Sequence, residues 1–256
     1  MSTTTHTVDL LILGAGWTST FLIPLCESRN VTYAATTHHQ SPSLGKSDKL
    51  IFFDFDFSSD DPAPFKALPH AKTVLISFPI KVLGASERLV RLYEQTHEGA
   101  KGKTGFIQLG STGIWDRDTL QDESQVAGKD ALWADRHTPY NTANDRANEE
   151  AELLKLSPAS LTTVLDLCGL WGGDRSMKHW VGKVVPTKEA LRIKGGIHLI
   201  HGLDVSRAIL AVHRHFASRA TGQRWLLTDQ RVYDWWDLAS AWGETHSREK
   251  HPNQEA

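Results

Sequence analysis

The stretch LILGAGWTST, Leu11 to Thr20, follows the short apolar run Val8-Asp9-Leu10 and carries two glycines in G-x-G spacing, with Ser19 where a third would complete G-x-G-x-x-G. A glycine at 14 lets a strand exit tightly, and one at 16 lets the backbone approach a pyrophosphate, whose charge then rests on the amides of a helix start. Ser19 adds only a hydroxymethyl group, which a slightly wider helix–strand crossing accommodates. The chemistry on offer is dinucleotide binding by Gly14, Ala15, Gly16, Trp17, Thr18 and Ser19; the alternative is an ordinary strand-to-helix turn. Pro24, inside the expected helix, removes one backbone hydrogen bond and should bend it.

An NAD site usually places Asp or Glu about 20 residues beyond the glycines to hold the ribose 2′-hydroxyl. Here the corresponding segment is AATTHHQS, residues 34–41, with no acid. Thr36, Thr37, His38 and Ser41 offer hydrogen bonds to a 2′-phosphate instead, and His38 or His39 would gain charge beside one. NADP is therefore favoured over NAD, unless the two histidines are simply solvated loop residues. A metal is not expected. His198 and His201 are three apart and His213 and His215 two apart, but no H-E-x-x-H or Cys/His set accompanies them.

These residues need a scaffold, and the pattern of apolar runs supplies one. Short runs at 8–13, 31–36, 49–53, 73–78, 104–109 and 161–168 read as buried strands, and the segments between them hold helices near 18–28, 62–69, 85–98 and 142–156. That rhythm predicts an α/β fold, a doubly wound parallel sheet built from βαβ units, over residues 1–169. From about Leu170 it changes: WGGDRSMKHWVGKVV, KGGIHLIHG, DVSRAILAVHRHF, QRWLLTD and VYDWWDLASAW read as a smaller C-terminal substrate cap over 170–243, interleaved with the sheet domain. Residues 244–256 have few apolar side chains and read as a disordered tail.

Composition narrows the partners. In 256 residues, Lys plus Arg number 28 against 30 Asp plus Glu, so no global basic field points to nucleic acid or an anionic membrane. No apolar run approaches the ~18 residues that span a bilayer. Cys26 and Cys168 lie far apart without C-x-x-C spacing, which fits a reducing, cytoplasmic setting. A small-molecule substrate is the expected partner, and a homodimer through helices flanking the sheet is compatible with the pattern, although no segment establishes it.

In order and spacing, LILGAGWTS, FDFDFSSDD, VLISFP, IQLGSTGIW with LQDES, LDLCGLWGGDR and LIHGLDVSRAI resemble the atypical short-chain dehydrogenase/reductases related to NAD-dependent epimerase/dehydratases. The resemblance covers most of residues 8–243 and implies a Rossmann fold and an NAD(P)-dependent oxidoreductase acting on a small carbonyl or hydroxyl compound. It implies that the Asp56 region borders the adenine and that Ser77, Phe78 and Pro79 run alongside the cofactor. It places Ser111 at the family's catalytic Ser/Thr position, four residues before Trp115, which stands where a tyrosine is usual. Otherwise Ser111 is a strand-end hydroxyl capping a turn with Gly110 and Gly113.

The main departure is at the next helix. The family carries Y-x-x-x-K there, the lysine lowering the tyrosine's pKa from one helical turn away. In TPYNTANDRANEEAEL, residues 138–153, Tyr140 is followed four places later by Asn144; a register two further on pairs Thr142 with Arg146. Neither gives the dyad, so Tyr140 is expected to act as an unassisted proton or hydrogen-bond donor, with Asn141 or Thr142 capping the helix and Asp145 in its first turn. His201, in H-G-L-D with Asp204 as a helix N-cap, is a further acid or base for a non-redox dehydration, isomerisation or cyclisation on the same fold. A nucleotide-sensing protein without turnover is the third reading. Trp171, Arg175, His179 and Trp180 suit an aromatic or carbonyl-bearing substrate, unless the tryptophans only close the cap's core.

Overall fold

A computed structural model describes residues 7–38, 49–115 and 134–242. His39, Ser41, the LQDES segment and the 244–256 tail lie outside these described residues. Seven strands form one sheet: β1 (Thr7–Leu13), β2 (Tyr33–Thr37), β3 (Leu50–Phe52), β4 (His70–Ile76), β5 (Gly105–Ser111), β6 (Leu161–Leu167) and, late in the chain, β10 (Arg224–Leu227). Their order is β10-β6-β5-β4-β1-β2-β3 and each neighbouring pair is parallel. The chain winds outward from β1 to β2 and β3 on one side, then crosses to β4, β5 and β6 on the other. Its direction therefore reverses between β1 and β4.

The middle strands are mostly apolar because both faces are covered. Leu11, Leu13, Val74, Ile76 and Phe106 pack with Leu89, Val90 and Tyr93 of α2 (Ala85–Thr96) and Leu153 of α3 (Asp145–Lys155). The alternation of strand side chains sends Thr73 to the opposite face, where its Oγ1 meets His213 Nδ1 of α6 (Gly202–Arg214) at 2.8 Å. Helix α1 (Ser19–Ser28) follows β1 and continues through Pro24.

Two expected elements change. The helix expected at 62–69 is a short 3-10 helix, Ala63–Ala67, because Pro64 has no N–H to give and Pro62 and Pro69 bracket the segment. The helix expected at 142–156 begins at Asp145, and its cap is Asn144, whose side chain accepts the Ala147 N–H at 3.2 Å; Asn141 and Thr142 lie outside it. Asp145 does occupy the first turn.

The chain divides into two compact units, residues up to Leu167 with Leu203–Leu227, and Cys168–Gly202 with the chain from Thr228. The second unit contains β7 (Gly169–Trp171), α4 (Met177–Val184), α5 (Lys188–Arg192), β8 (Gly196–Ile197), β9 (Leu199–His201), β11 (Tyr233–Asp234) and α7 (Trp235–Trp242). Strands β7 and β9 pair in parallel and β8 and β11 antiparallel. Its core joins Met177, Val181, Leu191, Leu199, Trp235 and Leu238, with Trp180 packed against them. Asp204 sits inside the first turn of α6, paired with Arg207 at 2.8 Å, and so is not an N-cap.

One buried side chain fixes the loop between β4 and α2. Glu149 of α3 accepts the N–H of Gly84 on Oε1 at 2.7 Å and that of Ser86 on Oε2 at 2.9 Å. A neighbouring helix thus supplies the cap that α2 lacks within its own sequence. Glu149→Ala is expected to lower the unfolding free energy by about 1–3 kcal/mol, because two donors lose their acceptor in a buried place. Urea denaturation checks this, and Glu149→Gln, which keeps one acceptor oxygen, is expected to lose less.

Candidate active site

The carboxyl end of β1 lies at the reversal of winding, where open α/β sheets form a crevice. Gly14 leaves the strand with φ +91°, a left-handed conformation that a side chain rarely adopts, and a Cβ there would lie 2.8 Å from Ser77 Oγ and 3.2 Å from the Phe78 ring. The turn is strapped to β2: Thr36 Oγ1 accepts the Gly14 N–H at 3.0 Å and the Thr36 carbonyl accepts the Ala15 N–H at 2.7 Å. The buried Thr36 hydroxyl therefore serves the turn. Gly16 opens outward, with nothing within 4 Å of where a Cβ would be.

Helix α1 then starts with Thr18 at its N-cap position, without a side-chain cap and with no acid in the first turn. Ser19 Oγ is buried without a hydrogen-bond partner among the described residues. A helix start with no side-chain cap and no acid in its first turn, behind a glycine held in a left-handed turn and an unobstructed Gly16, favours an anion through the helix dipole. The residues at this turn therefore fit a dinucleotide pyrophosphate. Thr37 ends β2 half-buried and His38 follows it, exposed.

The other residues expected along the cofactor are placed as follows. Ser77 Oγ is directed at the carbonyls of Leu13 and Gly14, at 3.0 and 2.6 Å, so it ties β4 to the exit of β1. Phe78 is half-buried and packs on Phe57 with ring centroids 6.0 Å apart; Pro79 is exposed. Exposed Asp56 accepts the Ser58 N–H at 2.8 Å.

Ser111 ends β5 and its Oγ accepts the Gly113 N–H at 3.2 Å. The following 3-10 turn, Thr112–Trp115, is stitched to the segment that carries Tyr140: Trp115 Nε1 donates to the Thr138 carbonyl at 2.9 Å and Asn141 N to the Ile114 carbonyl at 3.1 Å. The Ser111 turn and the Tyr140 segment are thus brought together. Tyr140 itself lies five residues before α3, outside any helix. His201 belongs to the second unit, at the end of β9, with its ring edge-on to Trp171 at 4.6 Å. Of the two tryptophans suggested for substrate, Trp180 packs against the core of that unit, whereas Trp171 is 39% exposed.

Four charged residues that the sequence reading did not assemble lie behind Tyr140. At the start of α3 the pair four apart that faces the sheet is Arg146 and Glu150. Arg146 Nε donates to Glu150 Oε1 at 2.9 Å and its Nη2 to the Leu109 carbonyl at 2.8 Å. From β10, Arg224 Nη1 reaches Glu150 Oε2 at 2.9 Å and Asp166 Oδ2 at 2.8 Å. The Arg224 guanidinium lies 5.9 Å from the Trp115 ring and 5.8 Å from the Tyr140 ring, within reach of a cation–π attraction. Burial first, then the Glu150 charge, push the Asp166 carboxyl up to about 8 against the pull of Arg224. The signals were an acid inside the apolar strand TVLDL, a base in QRWLL, and R-x-x-x-E spacing.

No family model matches the chain, and no curated protein matches it by sequence. Solved structures do. One is a protein from Methylobacillus flagellatus named for the NAD-dependent epimerase/dehydratases, 15% identical over 97% of this chain and 85% of that one, with a TM-score of 0.63. The chain has the epimerase/dehydratase fold. A short-chain dehydrogenase/reductase superfamily protein from Agrobacterium tumefaciens with bound NAD has the same fold at 13% identity, covering 92% of this chain and 81% of its own, with a TM-score of 0.63. Vestitone reductase from alfalfa matches at 18% identity over 93% and 83%, with a TM-score of 0.62. Among the described residues of this epimerase/dehydratase fold, no helix is long and apolar enough to cross a membrane.

Gly14→Ala is expected to destabilise the fold by roughly 1–2 kcal/mol through the left-handed backbone alone, and further through the contact with Ser77. Thermal unfolding compared with Gly16→Ala, whose Cβ meets nothing, checks the assignment: Gly16→Ala should unfold like the parent.

Proposed function

We propose that the chain is an NADP(H)-dependent oxidoreductase of the atypical short-chain dehydrogenase type, working in the cytoplasm on a small carbonyl or hydroxyl compound. The observation that carries this reading is the uncapped start of α1 behind Gly14, at the reversal of winding of a parallel sheet. The NAD-bound short-chain dehydrogenase/reductase superfamily protein of the same fold supports it. The backbone of Gly14 to Ser19 would hold the pyrophosphate, and Thr37 and His38 the adenosine 2′-phosphate. Asp56, Ser77, Phe78 and Pro79 would border the rest of the dinucleotide. The nicotinamide of such a cofactor is a hydride carrier.

The chain's own part is to hold the substrate oxygen and supply its proton. Ser111 accepts the Gly113 N–H and keeps its O–H to donate to that oxygen. Tyr140 gives the proton to the developing alkoxide. The lysine that would assist Tyr140 is not there: Asn144 stands four residues on and caps α3, and Arg146 two further on is paired with Glu150. That same pair favours a second reading, in which the fold binds the nucleotide without redox turnover and either His201 or Tyr140 serves as acid or base, or the protein only senses the nucleotide.

Calorimetric titration with NADPH and NADH is expected to show about tenfold or greater preference for NADPH, equivalent to ~1.4 kcal/mol, reduced in His38→Ala. Equal affinities would overturn the NADP assignment, and no binding of either would overturn the reading as a whole. With a panel of carbonyl compounds, NADPH absorbance is expected to fall, and Tyr140→Phe to slow that by roughly 10²–10⁴-fold. Turnover that survives removal of the cofactor would instead establish the non-redox reading.

A further inference from the structure

Behind the segment that carries Tyr140, two carboxyls meet over one glycine. A Cβ on Gly110 would fall on Asp166 Oδ1 and lie 2.9 Å from Glu150 Oε1, so both oxygens occupy the space that a side chain at 110 would fill. The two acids have unequal partners. Glu150 receives a guanidinium on each oxygen, from Arg146 and from Arg224. Among the described residues Asp166 receives Arg224 on Oδ2 only, and its buried Oδ1 has no donor. An ionised carboxylate left that way inside a sheet carries an uncompensated desolvation cost. A carboxylic acid does not, because its proton has Glu150 to go to.

We propose that Asp166 and Glu150 share one proton over Gly110, as a carboxyl–carboxylate pair in which Glu150 holds the charge. With Asp166 neutral, Arg146 and Arg224 outnumber Glu150 and the cluster carries one net positive charge. Around it lie Gly110 of β5, Val164 of β6, Arg224 of β10, Arg146 and Glu150 of α3, and the Trp115 and Tyr140 rings. The charge is presented through Arg224 to the two rings. Glu149, the neighbouring acid on α3, is turned to the amides of Gly84 and Ser86, and Asp145 stands in the first turn of the helix.

The position of the proton has a definite pH signature. The Asp166 carboxyl, raised to about 8 by burial and by Glu150, has an ordinary value of 3.8 when exposed. Between those values the folded chain holds a proton that the unfolded chain has released. Stability from this group is therefore full at the acid end of that window and falls as pH rises through it. Asp166→Asn replaces the shared proton by an amide N–H of the same shape and removes the dependence.

Difference infrared spectroscopy on the full chain, with and without Asp166→Asn, tests this directly. The parent is expected to show a buried carboxylic-acid carbonyl band at neutral pH that bleaches near pH 8 and is missing in Asp166→Asn, and the variant should lose less melting temperature than the parent between about pH 6 and 9. In Glu150→Gln, Asp166 is left as the only acid for two arginines and should ionise, so the band should vanish at neutral pH. The variant thus tests the sharing even if Asp166→Asn fails to fold. No band in the parent at neutral pH, a band that persists in Asp166→Asn, or one unchanged in Glu150→Gln would overturn the proposal. None of these readouts depends on nucleotide binding or turnover.

Discussion

A parallel sheet covered by helices on both faces has no water to offer its middle strands, so each charge placed on them must be answered within the protein. This constraint organises the region beyond β5. Asp166 on β6 forces Gly110 on β5, because its carboxyl takes the space of a side chain. It also requires Arg224 on β10, and Arg224 in turn draws on Glu150 of α3. Breaking such a cluster by removing one partner costs about 3–5 kcal/mol, whereas surface pairs such as Lys155–Glu152 are worth under about 1. The position of α3, and of the Tyr140 segment that leads into it, depends on the buried set.

The opposite end of the crevice is organised by backbone geometry. At the exit of β1, Gly14 turns left-handed, Thr36 and Ser77 bind the turn from both neighbouring strands, and the helix start has neither a side-chain cap nor an acid in its first turn. The two regions solve different problems. One neutralises side-chain charges that the fold has buried, and the other sets a helix start without a side-chain cap or first-turn acid behind a left-handed glycine.

Much of this was legible in the sequence. Continuous apolar runs such as LLIL and VLISF announce strands with no exposed face, and the G-x-G turn after the first of them locates the crevice. Boundaries failed where local chemistry outweighed periodicity: prolines at 62 and 64 cut a helix down to a short 3-10 element, and Asn144 capped α3 three residues later than Asn141 would have. The charged cluster was out of reach for a different reason. Arg146, Glu150, Asp166 and Arg224 lie on three elements, and no linear spacing relates β6 to α3 or to β10. The register that pairs Thr142 with Arg146 gives no dyad, and the partner Arg146 does have is Glu150, four residues on. Ser19, by contrast, fits where a third glycine was expected, with its hydroxyl buried at the head of α1.

Two adjacent glutamates on α3 have a consequence for how this fold could change its chemistry. Glu149 faces the amides at the head of α2 and Glu150 faces the arginines over β6, so the rotation of α3 about its own axis is indexed from two directions at once. Residues 146 and 150 are four apart, and replacing that pair would leave Arg224 and Asp166 without Glu150 between α3 and the sheet. Substitutions at Arg146 or Glu150 made to alter the chemistry of this end of the sheet would therefore act first on the buried charges, whereas position 144, the cap of α3, can change without touching them.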